Sequence, residues 1–204
     1  MSDAALLRLV RAIAAGHTAV AKQLLQRSPE LARARLVEGA TRQRAEDFFL
    51  EDIRHYVMEG DTALHIAAAA YDSKTARLLA RLGADVRAKN RRKAEAIHYA
   101  VAGGPGTGCW NPRAQAAMVK WLVEAGADPD ADGPGTTPLL SAIRNRCSAA
   151  ARALLECGAD PTRTTKAGST AMKLAMLTTG RSGSGSREAK AEQAVIVELL
   201  RGSA

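Results

Sequence analysis

The chain has 204 residues, 47% of them apolar, the balance of a folded domain with room for one sizeable core or two small ones. Aromatic residues make up only 3%, which argues against a sandwich or barrel, whose strands are rich in aromatic and β-branched side chains, and favours packed helices with small residues. A formal charge of +8 is compatible with nucleic acid, an anionic surface or an acidic protein as partner and separates none of them.

In chain order, LLRLVRAIAAGHTAVAKQLL (6–25) comes first, as a pair of helical stretches. Arg8 and Arg11 interrupt its apolar residues at helical spacing, so it reads as an amphipathic helix and not as a targeting segment. No apolar run is long enough to span a membrane, and a cytoplasmic location is expected. LVEGATRQRAEDFFLEDIRHYVMEG (36–60) follows and holds Phe48, Phe49 and Tyr56. Next, GDTALHIAAAAYDSKTARLLARLGAD (60–85) opens on a helix made almost entirely of alanine. Alanine has the highest helix propensity but little apolar area, so this helix must pack closely against neighbours.

The same pattern returns down the chain. KAEAIHYAVAGG (93–104) and MVKWLVEAGAD (118–128) form a weaker copy, TTPLLSAIRNRCSAAARALLECGAD (136–160) a strong one, and GSTAMKLAM (168–176) with VIVELL (195–200) another. Thr62 and Thr137 stand where an N-cap hydroxyl is needed, Pro138 takes the first helical position, and Gly83, Gly126 and Gly158 end the second helices. Each unit is therefore a turn, two antiparallel helices and a turn.

His65 and His98 lie 33 residues apart, and the T-x-L-H and LL-x-x-GAD landmarks resemble the ankyrin-repeat family over nearly the whole chain. The resemblance implies an all-α solenoid of about five helix-turn-helix repeats in a single domain. The units run approximately 3–35, 59–91, 92–133, 134–166 and 167–204. Alanines on the inner helices let neighbouring repeats approach, while Leu78, Leu79, Leu122, Leu154 and Leu155 supply apolar area, and the stack should be about 40 Å long. The Ala, Arg and Gly bias reads as bacterial.

Three insertions depart from the plain repeat. Residues 36–58 precede the second unit, and their aromatic rings either cap the end of the first unit or grip a partner. Residues 103–113, with Trp110 and Asn111, lie between the helices of the third unit, and residues 179–187, with Arg181, between those of the fifth. Both loops are glycine-rich but lack the G-x-x-x-x-G-K-[ST] order of a phosphate cradle.

No catalytic constellation emerges, so a non-enzyme is expected. The resemblance gives His65 and His98 a structural hydrogen-bonding role. Cys147 lies beside Arg144 and Arg146, cations that can lower a thiol pKa, but it has no identifiable histidine partner. Cys109, Cys147 and Cys157 are odd in number and lack C-x-x-C spacing, so no metal or cofactor is expected and the compartment should be reducing.

Ankyrin-repeat proteins bind protein partners through a concave groove of finger tips and inner-helix ends. Matching positions place Arg91, Arg92, Arg144, Asn145 and Lys166 there as a basic stripe, with Met58, Glu59 and Asp61 at the other end. The leading expectation is a monomeric protein-interaction module that binds an acidic protein surface. The alternative is a small-molecule or enzymatic site formed by the glycine-rich loops near Trp110, Asn111 and Arg181. Nucleic-acid binding ranks third, because the stripe lacks interleaved aromatics.

Overall fold

In the computed structural model, residues 3–177 and 185–202 are described, and they form ten α-helices. These pair in sequence as α1 (Asp3–Ala14) with α2 (Thr18–Arg27), α3 (Ala63–Ala69) with α4 (Ser73–Arg81), and α5 (Ala96–Ala100) with α6 (Pro112–Glu124). The last two pairs are α7 (Pro138–Arg144) with α8 (Ser148–Glu156), and α9 (Ala171–Ala175) with α10 (Arg187–Gly202). The odd-numbered helices stack as an inner row, each against the next. In the outer row α2 packs on α4, and α8 between α6 and α10. The guanidinium of Arg77 on α4 lies 5.5 Å from the centre of the Trp121 ring on α6 and bridges the two groups.

Small inner helices make this stacking possible. Ala67, Ala68, Ala100 and Ala142 are fully buried, and at these positions only a methyl group separates an inner helix from its surroundings. Leu79, Leu122 and Leu154 on the outer helices are fully buried as well, whereas Leu78 and Leu155 are only partly covered. Each fully buried leucine contributes roughly 2 to 3 kcal/mol by removal from water.

The helix starts follow the sequence reading. Thr62 and His65 form a reciprocal capping box at the start of α3. Thr137 Oγ1 accepts from the Leu140 amide at α7, with Pro138 next in line. At α5 the N-cap is Glu95 in place of threonine.

The turns between paired helices need a left-handed residue, and Gly16 supplies it in the first unit at φ 69°. Tyr71 and Arg146 adopt the same conformation in the second and fourth, each followed by an amide that bonds back into the preceding helix. Arg146 is held there by its guanidinium, which donates to the carbonyls of Ala175 at 3.1 Å and of Leu177. It ties the fourth unit to the fifth.

The insertion before the second unit breaks the all-helical pattern locally. Two short strands, β1 (Phe49–Leu50) and β2 (His55–Tyr56), form an antiparallel ribbon, flanked by single 3-10 turns. Phe48, Leu50 and Val57 point into the core. The insertion does not act only as an end cap, since it runs along the inner helices. Arg11 on α1 donates to the Asp47 carbonyl at 3.3 Å, and the His55 ring sits 4.5 Å from that of Tyr99 on α5.

Candidate functional site

The groove bounded by finger turns and inner-helix ends divides into two unlike halves. Along the inner helices α1, α3 and α5 it is covered by the insertion. A buried hydrogen-bond network fastens the insertion: Asp61 accepts from Asn90 Nδ2 at 2.8 Å, from the Tyr99 hydroxyl at 2.8 Å and from the Met58 amide at 2.7 Å. Asp61 is 0% exposed, and every donor it meets satisfies the negative charge of a carboxylate. At the inner-helix ends a recess of about 280 Å³ remains, lined by Ile13, Ala70 and Asp72 of the repeats, Asp52 and Ile53 of the insertion, and Cys109 of the next loop.

Along the finger turns at the ends of units two to four, the groove is open and lined by lysines. A recess of about 340 Å³ spans three successive finger turns, with Lys89 and Lys93 from the first, Gly133 and Gly135 from the second, and Thr164 and Lys166 from the third. Gly133 is required for close approach, because a Cβ there would overlap the His98 ring. Lys89 Nζ lies 3.5 Å from the fully buried Glu95 carboxylate, which offsets its charge. Burial pushes the Glu95 carboxyl up, and Lys89 opposes that shift. Asp132 at the rim is taken by Arg163 at 2.8 Å.

The expected stripe is only partly assembled by the fold. Arg91, Arg92 and Lys166 are exposed, and Arg144 is half-buried at the end of α7. Asn145 is not a surface residue: it is buried, and its Nδ2 donates to the Val101 carbonyl at 2.8 Å, holding the end of α5. Asp61 is likewise withdrawn from the surface by the network above. Met58 is half-buried, and exposed Glu59 pairs with Arg91 at 3.3 Å, which joins two positions expected at opposite ends. Lys89 and Lys93 were missed by position matching. The lysines in KNRRK (89–93) signal a charged finger, but only the fold aims them into the recess with Lys166.

In the loop of the third unit, Trp110 Nε1 donates to Gln115 Oε1 at 3.0 Å and Asn111 Oδ1 caps α6 by accepting from the Ala114 amide at 3.0 Å. Both anchor the loop. Arg181 lies outside the described residues.

The histidines serve the stack. His65 Nδ1 accepts from the Thr62 amide at 3.2 Å while Nε2 donates to the Ala94 carbonyl at 3.1 Å, and His98 repeats this with Glu95 and Ala131. Burial lowers the pKa of His98 to about 4 against its backbone bonds, and that of His55 to about 4 against the opposing charge of Asp61. The Cys147 thiol is pushed up to about 12 by burial and donates to the Gly103 carbonyl at 2.8 Å, so the nearby arginines do not activate it.

A family model for ankyrin repeats, three copies long, matches residues 8–131 and 111–165. The mouse protein Ankyrin repeat and SOCS box protein 16 is 40% identical over 116 residues, 56% of this chain and 25% of that protein. The chain thus spans about a quarter of the length of this curated relative. A mouse relative lends no support to the bacterial source expected from composition.

Proposed function

Because the chain belongs to the ankyrin-repeat family, whose repeats are generally protein-interaction modules, we propose that it docks an acidic protein segment along the cationic finger groove at the ends of its second to fourth units. The observation that carries this reading is the division of the groove: the insertion covers the inner helices of the first three units, and Lys89, Lys93 and Lys166 surround the open recess beyond it. Complementary charge would speed association and fix register more than it would add raw affinity.

His65, His98 and Cys147 have their polar atoms engaged by the fold, so this reading draws on none of them. Among the described residues no helix is long and apolar enough to cross a membrane. A protein partner in water is the simplest fit to a groove of this kind. A cytoplasmic setting and action as a monomer belong to the same proposal.

The test is affinity capture with the wild-type protein and with a Lys89→Glu, Lys93→Glu, Lys166→Glu variant whose folding is checked by its melting curve. Partners held by the wild type should be lost from the variant at least tenfold and released by salt. Capture of the same proteins in equal amounts by both would overturn the groove assignment.

A further inference from the structure

Resting on that docking reading, we propose that the recess between Lys93 and Lys166 binds the phosphoryl group of a phosphorylated side chain on the acidic partner segment. Charge is the first argument. Lys89 is offset by Glu95, and Asp132, which lines the same recess, by Arg163, which leaves Lys93 and Lys166 as two ammonium groups with no ion pair within 4 Å among the described residues. Two uncompensated cations match one phosphoryl dianion, whereas a single glutamate would neutralise only half of them.

Shape and donors agree with charge. The recess is bounded by glycine backbone at Gly135, where a Cβ would meet nothing within 4 Å, which lets a tetrahedral group approach the main chain, and its volume exceeds what one carboxylate fills. Thr137 Oγ1 accepts from the Leu140 amide, so its hydroxyl hydrogen is available to a ligand oxygen. The Thr136 hydroxyl instead donates to the Thr137 carbonyl and is already used. Lysine ammonium groups act here as point charges, as in other phosphate sites.

Glu95 acts on this site as a positioning residue. Its buried carboxylate has Lys89 as its cation, so Lys89 is held at the wall of the recess instead of collapsing across it. The phosphoryl group therefore meets Lys93 and Lys166 from the open side.

The experiment titrates the folded 204-residue protein, followed by amide chemical shifts, with three probes. These are a peptide of one phosphoserine between three glutamates on each side, the same peptide with serine, and inorganic phosphate. The phosphopeptide should bind at least tenfold more tightly than the serine peptide, with shifts at Gly133, Gly135, Thr137 and Lys166. A Lys93→Gln, Lys166→Gln variant should lose that tenfold gain, binding the phosphopeptide and the serine peptide with equal and weakened affinity. If both peptides bind equally, the phosphoryl site is overturned and the docking groove stands. If neither binds, both fall. If inorganic phosphate binds as tightly as the phosphopeptide, the recess takes a free anion and the assignment to a docked side chain is overturned.

Discussion

The two halves of the groove are built from the same repeat, yet one is filled and the other open. Over the inner helices of units one to three, the insertion brings its own hydrophobic residues, Phe48, Leu50 and Val57, and meets a carboxylate of the second unit, Asp61, that takes three donors. Over the finger turns at the ends of units two to four no such segment lies down, and the recess between them is lined by lysines. The same repeat thus gives a structural seam on one side and a charged opening on the other. The difference lies in what one insertion covers.

The covered half should be broken most severely at its centre. Asp61→Leu leaves Asn90, the Tyr99 hydroxyl and the Met58 amide without their acceptor, and should cost about 3 to 5 kcal/mol in urea unfolding. A loss below 1 kcal/mol would mean that the network is not closed in solution.

Acid should come next, and it too should act on the covered half and its border. His98 has its pKa depressed to about 4 in the fold, so the unfolded chain takes up the proton first as pH falls. The stability held by this neutral ring is complete above about pH 6.5 and is lost progressively down to about pH 4, on the order of 3 kcal/mol. His98→Gln keeps an acceptor at the helix N-terminus and should flatten this part of the pH profile. Parallel profiles for the two proteins would contradict the assignment.

The smallest effect should come from the outer part of the insertion. Phe48→Ala should cost about 2 kcal/mol, because a peripheral ribbon can partly collapse on the space left behind. Hydrogen exchange should then quicken first at Val57, whose amide bonds the Phe48 carbonyl at 2.8 Å, while amides in α8 stay protected. Uniform quickening through both halves would show that the insertion and the stack unfold as one unit.

The repeat itself was legible because its signals are local: a threonine three residues before a histidine, a glycine after LL-x-x. The site was less so. Asn145 and Asp61 sit at positions that face a partner in a plain repeat, but here one ties down the neighbouring helix end and the other anchors the insertion. Lys89 and Lys93 escaped notice because their shared direction with Lys166 depends on three turns far apart in sequence. Position matching assumes that every unit has the same surroundings, and the insertion removes that condition.

By itself the sequence determined the helical pairs, their caps and their stacking into an elongated repeat domain, because each of these follows from short-range propensity and periodicity. Only the tertiary structure decided which part of the groove stays open. That outcome depends on where a chain segment with few local constraints, residues 36–58, lies down, and it lies where Asp61, Tyr99 and the inner-helix ends offer it both hydrogen bonds and apolar surface.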